Sequence, residues 1–257
     1  MPTLRKWLEH DPFTLAMSAG FFSFFAHCGL LSVLEEENLR PSKIAGSSAG
    51  ALVGACWAAG CSTGHLKEIL FNLSKKNFWD PAPGLGLLKG RRFRSLIAEI
   101  SPVSKIEECR IPVCISAFDL YSYSTHILES GAFPESVYAS CALPFLFQPI
   151  RLNRGLYFDG GIKDRPGLAG VSKGTRVLYH HISSRSPWRR KNSTALRIPK
   201  RENMVSVIIN RLERVGPNRL EKGKIAFHQA RQGMKIALEK DLRDSTRIYV
   251  NEPGIST

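Results

Sequence analysis

Apolar positions fall into short runs broken by glycine and proline, and the runs change period along the chain. Thr14-Leu15-Ala16-Met17-Ser18 reads as a strand entering a turn at Ala19-Gly20. Phe25 to Glu37 has helical spacing, with Leu30, Leu31 and Leu34 on one face and acids at its end. A short apolar step at Ile44-Ala45 leads into a helix-like run, Ala49 to Ala59, which Gly60 stops. A further helix over Gly64 to Leu73, a Pro/Gly-rich loop over Asp80 to Gly90, and a short helix over Arg92 to Ile100 follow. Pro112 to Phe118 and Tyr123 to Leu128 read as paired strands. Pro134 to Cys141 reads as a helix with proline near its first turn.

Phe147 to Leu152 and Gly155 to Phe158 read as strands around a tight turn, and Thr175 to Ile182 as another strand. Ser183 to Arg201 is polar, basic and irregular, the pattern of a mobile loop rather than a domain linker. Two helices are expected over Glu202 to Arg214 and Leu220 to Lys240, then a last strand over Thr246 to Val250. No internal repeat is visible. Strands alternating with helices predict one α/β domain with a largely parallel sheet.

Composition narrows the class. A chain of 257 residues can bury a sizeable core, and 43% hydrophobic with 23% charged residues argues against global disorder. No apolar run reaches the roughly 18–20 residues that span a bilayer, and Met1 to Asp11 lacks a signal-peptide apolar region. The six cysteines are dispersed without a C-x-x-C pair, and they read as buried reduced thiols in a cytoplasmic, reducing setting. The net charge of +14 suits either anionic headgroups or nucleic acid. The basic residues are spread over several segments without a nucleic-acid-binding motif, so nucleic acid is not the expected partner.

The chemistry centres on Gly46-Ser47-Ser48-Ala49-Gly50, a G-x-S-x-G run between the apolar step and its helix. Glycine is favoured on both sides of such a sharp turn, which lifts the Ser48 hydroxyl into an open site. The N–H groups of the new helix then face an oxyanion. The serine needs a base. The downstream histidines are His65, His126, His180, His181 and His228, and none sits on a loop following a strand, where a Ser-acid-His triad would place it. Asp159, at a strand end before Gly160-Gly161, is the carboxylate alternative.

Three blocks together resemble the patatin-like phospholipases, serine acyl hydrolases that use a Ser-Asp dyad without histidine. Ile44 to Gly60 is similar to their G-x-S-x-G-A run. Asp159-Gly160-Gly161 is similar to their D-G-G/A, preceded by a small-residue-then-proline run over Ala139 to Pro149. Phe25 to Glu35 resembles their first helix with its H-x-G step. The resemblance spans roughly residues 13 to 250. It implies a three-layer α/β sandwich with a central, mostly parallel sheet flanked by helices. It also implies Ser48 as nucleophile, Asp159 as base, and an oxyanion hole from the N–H groups of Ala49, Gly20 and Phe21. The elbow and dyad glycines are then Gly46, Gly50, Gly160 and Gly161. Neither metal nor cofactor is expected. The expected substrate is a phospholipid or another acyl-ester lipid, met at an anionic membrane surface.

The chain departs from the family at the glycine-rich oxyanion loop, which falls on Ala19 to Phe24. Only Gly20 matches there, and Ser23 stands where the family has a basic residue. Either the loop runs differently or Gly20 alone carries a positive φ. Lys163 and Arg165 are the nearby candidates for the lost cation. Three rival readings follow: a catalytically weak or inactive lipid-binding scaffold, a conventional Ser-His-Asp esterase, and a basic nucleic-acid binder. Phe21, Phe22, Phe24 and Phe25 are either core or the wall of an acyl pocket. Apolar residues over Phe78 to Leu88, beside Lys89, Arg91, Arg92 and Arg94, suit an anionic interface. So does the second basic stretch, Arg189, Arg190, Lys191, Arg197, Lys200 and Arg201.

Overall fold

The structure, a computed structural model, describes residues 2–183, 193–242 and 246–251. Its strands are β1 (Thr14–Met17), β2 (Lys43–Ser47), β3 (Gly86–Leu88), β4 (Val113–Asp119), β5 (Ser124–Leu128), β6 (Phe145–Phe147), β7 (Ile150–Leu152), β8 (Gly155–Asp159), β9 (Val177–His181), β10 (Met204–Ile209) and β11 (Arg247–Val250). Its helices are α1 (Leu4–His10), α2 (Phe24–Glu36), α3 (Ala49–Ala58), α4 (Thr63–Phe71), α5 (Arg91–Ile100), α6 (Phe133–Cys141) and α7 (Lys222–Leu238).

The main sheet runs β11-β10-β9-β1-β2-β4-β8-β7, with β5 also paired to β4. The ladders from β11 to β4 are parallel, and those joining β5, β8 and β7 are antiparallel. The result is a three-layer α/β fold around a mixed sheet. Alternation along the strands splits the interior in two. Leu15, Met17, Leu178, Val205 and Val207 enter the larger core with α2, α3, α6 and α7. Ala16, Ala45, Cys114, Val177, Tyr179 and Met204 form a smaller core on the opposite face.

Helix burial follows composition. Every residue of α3 is buried, which its small and apolar sequence permits. In α7 the buried positions Ala226, Phe227, Ala230, Gly233, Met234 and Ala237 repeat at three- and four-residue spacing. That stripe lies against α2, where a side chain on Gly29 would run into the Phe227 carbonyl oxygen.

Several expectations change. The expected helix over Glu202 to Arg214 is instead β10, paired in parallel to both β9 and β11. Its run Met204-Val205-Ser206-Val207-Ile208-Ile209 is buried throughout, and its β-branched residues suit a central strand. The expected strand over Phe147 to Leu152 divides into β6 and β7 at Pro149, which has no N–H to give a ladder. The Pro/Gly-rich loop contains β3, which pairs in parallel with β6 as a separate two-stranded sheet. Helix α1, capped by Thr3, was not anticipated. Of the irregular basic stretch, Arg189, Arg190 and Lys191 lie outside the described residues, whereas Ile198 packs against the smaller core. No described helix is long and apolar enough to cross a membrane.

Candidate active site

Sheet register brings the two reactive residues level. Parallel pairing sets Ser47 of β2 beside Ser116 of β4, so Ser48 stands one residue past the end of β2. Antiparallel pairing sets Asp159 of β8 beside Ala117, one residue further along β4. Across that intervening strand, Ser48 Oγ donates a hydrogen bond to Asp159 Oδ2 at 2.6 Å. The second carboxylate oxygen accepts the Gly161 N–H at 2.8 Å. Asp159 is buried and Ser48 half-buried.

The glycines are dictated by contact. Ser48 itself carries φ 52° and ψ −120°, the torsion of a strained strand-to-helix elbow. A Cβ on Gly46 would lie 2.7 Å from the Ala51 nitrogen, and one on Gly50 would strike the Met17 carbonyl. Gly160 passes so close to Ser116 that a side chain would collide with its carbonyl oxygen. At Gly161 a Cβ would come within 2.7 Å of the Ala19 side chain, so the bare turn lets the 19–24 loop lie against Asp159.

Two supports had no signal in the sequence. Ser140 on α6 accepts the Ser48 N–H at 2.8 Å and donates to the Ser116 carbonyl at 2.7 Å, tying the elbow to β4. That N–H is therefore committed to holding the elbow in place. Asp119, at the end of β4, accepts the N–H groups of Leu156 at 3.1 Å, Tyr121 at 3.2 Å and Ser122 at 3.2 Å, and the Ser122 hydroxyl at 2.7 Å. Burial raises its pKa, but these hydrogen bonds outweigh burial and hold it below the usual carboxylate range.

Gly20 and Phe21 line the same cavity as Ser48, Ala49 and Asp159. The positive torsion in this loop belongs to Phe22, at φ 54°, and not to Gly20. Gly20 serves closeness instead, because a Cβ there would crowd Ser23 and reach 3.0 Å from Ile182. Lys163 does not replace the lost cation: it donates to the Tyr123 carbonyl and sits 4.0 Å from that ring. Arg165 is buried, lines the cavity, donates to the Ile182 carbonyl, and accepts the Ala19 N–H at 2.7 Å through its own carbonyl.

The histidines lie elsewhere. His65 is on α4, His126 on β5 beside Tyr157, and His228 on α7 against Phe227. His180 and His181 are buried in β9. His27 Nε2 faces the Ser18 carbonyl at 2.8 Å and must be the protonated nitrogen. Its Nδ1 then accepts from His180 Nδ1 at 2.9 Å. This neutral pair braces the strand end that leads into the 19–24 loop. Cys141 donates to the Ser48 carbonyl at 3.3 Å, and burial holds its thiol well above the ordinary range, so it stays protonated at neutral pH.

Ser48 opens on a cavity of about 590 Å³, within the roughly 300–1,000 Å³ of small-molecule sites. Phe21, Phe22, Leu52, Leu70, Phe78 and Phe93 give it an apolar wall. Phe22 packs on Phe21, Phe24 and Phe78 with ring centroids 4.8–5.9 Å apart. The residues described include no group of three or more His, Cys, Asp or Glu side chains that could hold a metal ion.

A family model described as patatin-like phospholipase matches residues 15–170. An uncharacterized NTE family protein of Mycobacterium tuberculosis is 29% identical over 161 residues, covering 62% of this chain and 45% of that protein. The lysophospholipase NTE1 of Meyerozyma guilliermondii is 24% identical over 179 residues, covering 66% of this chain and 12% of that protein. The chain therefore spans less than half the length of these curated relatives. Among solved structures, VipD from Legionella pneumophila superposes with a TM-score of 0.63 at 14% identity, over 88% of this chain and 67% of that one.

Proposed function

The chain belongs to the patatin-like phospholipase family, and on that premise we propose that it hydrolyses acyl esters of lipids through a Ser48-Asp159 dyad. The observation that carries this reading is the 2.6 Å hydrogen bond from Ser48 Oγ to Asp159, set at the wall of a large apolar cavity. Ser48 Oγ attacks the ester carbonyl carbon as its proton passes to Asp159. The Ala49 N–H, at the start of α3, and the N–H groups of Gly20 and Phe21 receive the oxyanion. The C–O bond then breaks, and the alcohol leaves with the proton held by Asp159. Water attacks the Ser48 acyl ester, giving its proton to Asp159. Oγ leaves with that proton and the fatty acid is released. Residues of about 13–250 act here as one domain.

The test is a panel of phospholipids, lysophospholipids, neutral glycerides and a short p-nitrophenyl ester, with fluorophosphonate labelling. Ser48→Ala should lose both turnover and label while keeping the wild-type melting temperature. Undiminished hydrolysis by that variant would end the dyad reading. One observation favours a second reading, a lipid-binding protein without turnover: the 19–24 loop has a single glycine, and its positive φ falls on a phenylalanine. Under that reading the wild type binds lipid but neither labels nor hydrolyses.

A further inference from the structure

We propose that the β3–β6 sheet is a docking surface for an anionic lipid bilayer, with Phe145, Leu85 and Leu87 entering its acyl layer. Phe145 is 89% exposed and carries φ 66°, a torsion that bulky residues avoid. Leu85 and Leu87 are 66% and 49% exposed. Parallel pairing sets Gly86 beside Phe145 and Leu88 beside Phe147, so Leu85 and Leu87, on either side of Gly86 in the chain, belong to the segment paired with Phe145. Leu88 and Phe147 are buried and root the pair of strands in the core. Phe145 also lines the cavity that holds Ser48. Strain and exposed apolar surface thus coincide at the entrance to the candidate active site.

Charge identifies the occupant. Residues 74–94 carry Lys75, Lys76, Lys89, Arg91, Arg92 and Arg94 against one acid, Asp80, in a chain of net charge +14. Asp80 is committed: its carboxylate accepts the N–H groups of Gly90 at 3.0 Å, Arg91 at 2.7 Å and Arg92 at 3.2 Å. Arg92 reaches back to the Lys76 carbonyl at 3.1 Å, which holds the two basic clusters together beside β3. Apolar side chains flanked by lysine and arginine combine insertion with attraction to anionic headgroups.

The inference rests on the lipid reading of Ser48 but is tested by binding alone. Ser48→Ala protein is floated with vesicles of phosphatidylcholine, with or without phosphatidylglycerol. Binding is expected only with phosphatidylglycerol and should weaken as salt rises. Adding Leu85→Ser and Leu87→Ser should weaken it on the order of tenfold or more. In the Ser48 protein the same pair should leave turnover of a soluble p-nitrophenyl ester unchanged. A Leu87→Trp reporter should shift its emission to the blue on anionic vesicles.

Absent vesicle binding, equal binding by the Leu85→Ser/Leu87→Ser variant, or an unshifted Leu87→Trp emission would each overturn the proposal. So would a lipid-free dimer that this variant dissolves, since the β3–β6 sheet would then face a second copy of the chain. If vesicles are bound but no ester is turned over, docking stands and the hydrolase reading falls.

Discussion

At the scale of single residues, the base and the loop make separable predictions. Asp159→Asn keeps the size of the side chain but cannot take a proton. Turnover of a p-nitrophenyl ester should therefore fall by about 10²–10⁴. A steady-state assay showing less than a tenfold loss would remove Asp159 from the base role. Gly20→Ala puts a methyl group against Ser23 and Ile182 and should displace the adjoining N–H groups. Loss of one oxyanion donor costs on the order of 10²–10³ in kcat, so kcat should fall while the melting temperature holds. That Ser48 and Asp159 come together was legible in the sequence through Gly46, Gly50 and Gly160 beside them, which backbone contacts force. Ser140 and the torsion at Phe22 were not, since both depend on neighbours distant along the chain.

Between elements, α2 and α7 approach each other closely. Gly29 lies against the Phe227 carbonyl, and Gly223 leaves room for the Phe25 ring. Gly29→Ala should push the helices apart and destabilise the protein by about 1–3 kcal/mol. Urea denaturation measures this, and an unchanged midpoint would show that the contact yields. The sequence located α2, α3, α6 and α7 because their apolar positions follow one helical face or fill a whole helix. It misassigned β10, whose six buried residues carry no alternation to distinguish strand from helix. It did not reveal β3, whose pairing with β6 is set by tertiary contact rather than by a run of strand-forming residues. The parallel half of the sheet followed from alternating strands and helices, whereas the antiparallel edge follows from how β8 returns along β4.

For the whole molecule, acid stability depends on histidines fixed near the middle of the sheet. Burial lowers His27 from 6.5 to about 4 and His181 to about 3, and it holds His180 well below its ordinary value. Between these folded values and the unfolded 6.5, the unfolded chain binds more protons. Stability should be full above pH 6.5 and fall as the pH drops toward 4. The slope per histidine is at most about 1.4 kcal/mol for each pH unit. Urea midpoints between pH 5 and pH 8 measure it, with His27→Gln expected to flatten the profile. A wild-type profile without slope below pH 6.5 would rule out these groups as the source.

The anchoring of Leu156 by Asp119 has a consequence for how such a chain can change over time. Ser48, just past β2, and Asp159, at the end of β8, lie on either side of β4, and β8 runs against the direction of β2 and β4. Their separation is therefore set by the antiparallel register of β8 on β4. A slip of one residue along β8 would carry the Asp159 carboxylate about 3.4 Å and turn it to the opposite face. Insertions or deletions between Leu156 and Asp159 would break the Ser48–Asp159 hydrogen bond without changing either residue, while changes of length in the Asn153-Arg154 turn leave the anchor in place. Evolution is thus free to lengthen the rim of this sheet, but not to recount the three steps from Leu156 to Asp159.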